Sequence, residues 1–223
     1  MREGDALGAG MPHCARCVAV AALAVLWAAA APAEPEGPGP YEQMTALSRE
    51  LFAALDRDRA GARGSTERAE ALIDGVVTAH FDPEYMAHRV LGTHWRDASP
   101  ALQQRFARAL YRTLLRTYAE SVIEWTADDL RILPFDGDAA ALSATVRTEV
   151  RRPGRPLVRV NYKLRSSAGG WKIFDVSVDG VSYERSYHDD IEAEVGRKGL
   201  EGAVASLEQR IAQRRALRLP AAH

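Results

Sequence analysis

Apolar positions recur at helical spacing through the first half of the chain, alternate with polar ones in the third quarter, and return to helical spacing at the end. Met44, Leu47, Leu51 and Leu55 predict an amphipathic helix from Tyr41, closed by the polar run Asp56 to Thr66, which reads as a loop. A second helix is expected from about Thr66 to Ala79, with Leu72, Ile73, Val76 and Val77 inward. Asp82-Pro83 is a start signal, since aspartate caps free N–H groups and proline loses no hydrogen bond at the first helical position. That short helix stops at Gly92. Ser99-Pro100 repeats the device and opens a long helix to about Trp125, with Leu102, Phe106, Leu110, Leu114, Tyr118 and Val122 on its apolar side. Arg105, Arg108, Arg112 and Arg116 line the other side and read as a solvated face.

The period then becomes two. Leu142, Ala144, Val146, Thr148 and Val150 alternate with polar residues over Ala141 to Arg151. Val158, Val160, Tyr162 and Leu164 do the same after the turn at Arg152 to Arg155, as do Phe174, Val176 and Val178 after Ser166 to Gly170. Three strands joined by hairpin-length loops predict an antiparallel meander, to which Leu130 to Leu133 adds a fourth strand. Past Gly180 the spacing of Tyr187, Ile191 and Val195, then Leu200, Val204, Leu207 and Ile211, is helical again. Helices, strands, then helices give an α+β class with no βαβ alternation.

Composition narrows the class. With 47% hydrophobic and 26% charged residues and a mean hydropathy of -0.25, the chain has the balance of a globular protein. A net charge of -1 argues against a nucleic-acid binder. The longest apolar run, Val18 to Ala31, is shorter than the ~20 residues of a spanning helix. With Arg16 before it and Ala31-Pro32-Ala33 after it, the run reads as a secretory signal over residues 1–33, with Met11 as an alternative start. A Pro/Gly linker follows at 34–40, the folded domain is expected over 41–212, and 213–223 is a tail. Cys14 and Cys17 form a C-x-x-C inside the expected signal, so the exported chain holds no cysteine, and neither is placed for a lipid anchor.

Candidate chemistry is sparse. His80, His88, His94, His188 and His223 have no metal-ligand spacing, and no P-loop, G-x-S-x-G or G-x-G-x-x-G occurs. His188-Asp189-Asp190 reads as surface. Asp175, which interrupts an apolar strand, is the best catalytic candidate, with Tyr118 or Tyr162 as its partner in proton transfer. Against that stands a simpler role for Asp175, outward-facing or paired with an arginine such as Arg147.

The motif series Phe81-Asp82, Val90-Leu91-Gly92, Trp95-Arg96 and Leu114 to Tyr118 resembles the MlaC family of periplasmic phospholipid-binding proteins. So do Val160-Asn161-Tyr162, Gly170 to Val176 and Val178 to Ser182. The resemblance spans about residues 41 to 212. It implies a twisted antiparallel sheet related to the NTF2-like shape, packed with flanking helices that enclose an apolar pocket. The implied task is shuttling glycerophospholipid between an outer-membrane lipoprotein complex and the inner-membrane ABC transporter of the Mla pathway, with transient membrane contact. Phospholipid is then cargo, no cofactor is implied, and the location is the periplasm. The alternative is an NTF2-like enzyme or small-molecule binder built on Asp175 and a tyrosine.

On this reading the pocket wall is expected at Val90, Leu91, Leu110, Leu114, Tyr118, Val146, Val160, Tyr162, Phe174 and Val176, the apolar side of facing elements. Arg151, Arg152, Arg155 and Arg159 crowd one hairpin and are expected to dock partners; such a cluster also suits phosphate headgroups or an anionic membrane surface.

Overall fold

The computed structural model describes residues 37–138 and 141–216, with side chains to 213. The expected signal at 1–33, the start of the linker and the end of the tail lie outside the described residues.

Local capping sets the helix starts. Helix α1 (Pro40–Ala62) and α2 (Thr66–Val77) pack side by side, and the Ser65 hydroxyl accepts from the Arg68 N–H at the start of α2. At the start of α3 (Pro83–Leu91), Asp82 Oδ1 accepts from the Tyr85 N–H at 2.9 Å, while its Oδ2 takes Arg165 Nε at 2.8 Å. Gly92, at φ +54, supplies the turn that ends α3. Ser99 caps α4 (Pro100–Ile123) through the Leu102 N–H.

The expected loop at Asp56 to Thr66 is instead helical to Ala62, with a kink at Asp58. Leu55 and Ala62 are buried, and Arg59 donates to the Ile123 carbonyl at the end of α4. These tertiary contacts carry a polar run through two further helical turns.

Among the described residues five antiparallel strands follow: β1 (Leu130–Ile132), β2 (Ser143–Val150), β3 (Val158–Ser167), β4 (Gly170–Val178) and β5 (Val181–Ser182), in sheet order β1-β2-β3-β4-β5. Lys163 pairs with Asp175 but Leu164 pairs with Ile173, which leaves Phe174 as an extra, bulged residue. The bulge resets the alternation of β4, so that Ile173 shares a face with Val176 and Val178.

Helix α5 (Tyr183–Ala216) is two helices broken at Gly199, at φ +71. Arg210 Nη1 meets Glu194 Oε2 at 3.0 Å. Sixteen residues of straight helix span about 24 Å, so the second half folds back on the first. This hairpin covers part of the arginine side of α4. Arg105 pairs with Glu201 and Glu208, and Arg116 is buried, donating to the Ile211 carbonyl and lying 3.4 Å from Glu70. Arg108 and Arg112 are exposed, as a solvated face requires, but Arg105 and Arg116 are interface residues. His188 is likewise half-buried, and its Nδ1 donates to the Val90 carbonyl at 2.9 Å.

Candidate functional site

A cavity of about 360 Å³ lies between the helices and one face of the sheet, within the range of small-molecule sites. Leu47 and Leu51 of α1, Ile73 and Val77 of α2, and Leu114, Leu115, Tyr118 and Val122 of α4 form one wall. Val158, Val160 and Tyr162 of β3 and Ile173, Val176 and Val178 of β4 form the other. Helical spacing aligns the first set, and the two-residue period with its bulge aligns the second. At one end Leu47, Phe81 and Ile173 are buried, with the Phe81 and Tyr111 rings 5.5 Å apart. At the other, partly exposed Val122, Trp125, Arg152 and Val158 make a mouth between the end of α4 and the β2–β3 turn.

Leu114, Tyr118, Val160, Tyr162 and Val176 line this cavity. Val90, Leu91, Leu110 and Val146 do not: each is buried to within 1% in the close-packed core beside it. Phe174, displaced by the bulge, packs against Tyr85 of α3 instead, with ring centres 5.0 Å apart in an edge-on contact. Leu47, Leu51, Ile73 and Val77 carried the right helical spacing, but nothing in it distinguishes a wall from a core. Among the four hairpin arginines, Arg152 turns into the lining while Arg151, Arg155 and Arg159 are exposed.

The lining is nearly all hydrocarbon and aromatic, and burial favours the protonated form of the Tyr111, Tyr118 and Tyr162 hydroxyls. Burial pushes Tyr162 up to about 12, against a smaller downward effect from Thr148. Burial first, then the neighbouring Tyr183 hydroxyl, raises Tyr118 further. Tyr111, also raised by burial, donates to Asp74 Oδ1 at 2.8 Å.

Asp175 does not reach this site. Neighbouring residues of a strand point to opposite faces, and Asp175 adjoins cavity-lining Val176 in β4, opposite Lys163. It is fully buried behind the sheet, where Oδ2 accepts from Ser182 Oγ at 2.7 Å and meets Lys163 Nζ at 3.0 Å. Arg147 pairs with Asp136 instead. The geometry gives Asp175 a structural duty and separates it from Tyr118 and Tyr162. Among the described residues no group of three or more His, Cys, Asp or Glu side chains is placed to hold a metal ion. None of the described helices is long and apolar enough to cross a membrane.

The fold has a close counterpart in the structure of a phospholipid-binding protein from Ralstonia solanacearum in complex with a phospholipid. It superposes with a TM-score of 0.72 at 22% identity, covering 79% of this chain and 98% of that one. The toluene tolerance protein ttg2D of Pseudomonas putida is 21% identical over 72% of this chain and 74% of its own length. The intermembrane phospholipid transport system binding protein MlaC of Haemophilus influenzae is 19% identical over 78% and 83%. The family model described as MlaC protein matches residues 45–209, most of the described fold, and the chain belongs to that family.

Proposed function

We propose that this protein is a phospholipid carrier that takes acyl chains into the cavity between α1, α2, α4 and the sheet. The observation that carries the reading is the cavity itself: a ligand-sized space walled by leucine, valine, isoleucine and aromatic rings, with a single charged residue among the described ones at its mouth. The phospholipid bound to the Ralstonia counterpart and the transport role in the name of the Haemophilus relative support it.

The energetics require such a device. Two acyl chains hold about 28 methylenes, and at ~0.8 kcal/mol each their transfer from bilayer to water costs on the order of 20 kcal/mol. Free diffusion through an aqueous compartment is then negligible. An apolar cavity approximates the bilayer interior, so transfer between membrane and protein is nearly balanced, and direction is set by whatever the carrier meets.

In this reading the protein works in the periplasm, between an outer-membrane lipoprotein complex and the inner-membrane ABC transporter of the Mla pathway. Arg151, Arg155 and Arg159 serve as exposed docking charges. Phospholipid is the cargo, no cofactor takes part and no reaction is catalysed. Native mass spectrometry of protein purified from cells tests this directly: a phospholipid-sized added mass is expected. Protein that is always empty, and that takes up no lipid from vesicles, overturns the reading.

A further inference from the structure

Among the described residues, Arg152 is the only charged side chain in the cavity lining. It lies two residues past the end of β2, half-buried where its hairpin neighbours are exposed. Other arginines at partly buried positions have carboxylate partners. Arg165 meets Asp82 at 2.8 Å, and Arg116 has Glu70 at 3.4 Å. No carboxylate or carbonyl among the described residues pairs with the Arg152 guanidinium.

Water reaches the partly exposed Arg152 while the cavity is open, but a ligand filling the mouth displaces that water and must then supply the counter-charge itself. The shape of the site says what can. The closed end, at Phe81 and Ile173, is apolar apart from the Tyr111 hydroxyl, which is engaged by Asp74, so a ligand that fills the cavity enters hydrocarbon first. Its polar end is left at the mouth, between Trp125 and Val158, within the same lining as Arg152 and Ser121. An amphiphile with an anionic group next to its chains satisfies both halves. Guanidinium presents a planar fork of donors that matches phosphate oxygens two at a time.

We infer that Arg152 binds the phosphate of the phospholipid headgroup and so fixes the orientation of the cargo, tails toward Phe81 and headgroup at the β2–β3 turn. This rests on the carrier reading and adds to it a specificity-determining residue. Every glycerophospholipid carries that phosphate, whereas diacylglycerol has the same tails and lacks it. Arg152 therefore selects phospholipid over neutral lipid and leaves the alcohol beyond the phosphate unread.

The test is binding of tail-labelled phosphatidylethanolamine, phosphatidic acid and diacylglycerol with identical chains to delipidated protein. Arg152→Ala is expected to weaken both phospholipids about tenfold, the size of one charge-assisted hydrogen bond lost, and to leave diacylglycerol unchanged. Arg152→Lys, which keeps the charge but not the fork, is expected to fall between. Unchanged diacylglycerol binding also reports an intact fold. Equal losses for all three lipids, or no loss for the phospholipids, overturns the role of Arg152. Wild-type protein that binds none of the three overturns the carrier reading itself.

Discussion

Asp175 Oδ1 lies 2.9 Å from the backbone nitrogen of Glu184 and accepts its hydrogen bond, tying the middle of the sheet to the first turn of α5. A carboxylate at a helix N-terminus satisfies a free N–H and complements the helix dipole. Replacing it by alanine should cost about 2 kcal/mol in urea unfolding, with Asp175→Asn costing less because an acceptor oxygen remains. Lipid uptake by the folded fraction should be unchanged. Loss of uptake at full stability would instead place Asp175 in the ligand's path.

Leu110 and Leu114 sit one turn apart on α4, yet Leu110 is 1% exposed in the core and Leu114 lines the cavity. Tryptophan at Leu110 should destabilise by about 1–3 kcal/mol through overpacking. Tryptophan at Leu114 enters existing space, so stability should hold while lipid uptake falls. Thermal melts and vesicle-uptake assays on the two variants separate these effects.

A ligand that binds only the folded state raises its stability by about 2.7 kcal/mol at one hundred times its dissociation constant. Delipidated protein should therefore melt at a temperature that climbs with added phospholipid. Leu114→Trp should flatten that dependence.

Burial alone would push the Glu194 carboxyl up, but hydrogen bonds from Arg210, Lys198 and Ser206 outweigh it and bring it from 4.5 to about 2. The folded state thus holds its proton more weakly than the unfolded state. The resulting stabilisation is fully present above pH 4.5 and is lost as pH falls toward 2. Glu194→Gln should lower stability at neutral pH and make the melting temperature less sensitive to acid across that window.

Exposed charge pairs are screened by salt. Arg151→Glu with Arg155→Glu should leave lipid content intact, slow transfer to an inner-membrane partner, and reduce the salt dependence of the wild-type rate. Equal rates and equal salt slopes in stopped-flow transfer would show that the two side chains are merely solvated.

Much of the fold was legible because its signals are local. Asp82 and Ser99 cap helices within three residues of themselves, and the alternation in β2 and β3 needs only neighbours. The last turns of α1 were not legible, because Arg59 finds its partner 64 residues away at Ile123. The pairing of Arg105 on the arginine side of α4 was not legible for the same reason: only the reversal at Gly199 brings Glu201 and Glu208 to it, while Arg108 and Arg112 are exposed as expected. In the site, Leu114 and Leu110 carry the same chemistry on the same stripe. What separates cavity from core is the distance between two walls, which no single element encodes. Phe174 was displaced by a bulge that the strand's own alternation did not announce.

The two walls of the cavity come from distant parts of the chain. The helical wall is complete at Ile123, while the strands opposite it begin at Val158 and end at Val178. A chain emerging from a ribosome or an export channel, amino end first, therefore displays the apolar sides of α1, α2 and α4 before anything can cover them. Partly folded species with such surfaces stick to one another. For this architecture the hazardous interval is the time needed to deliver the sheet, and a holding chaperone would have its target in the helices.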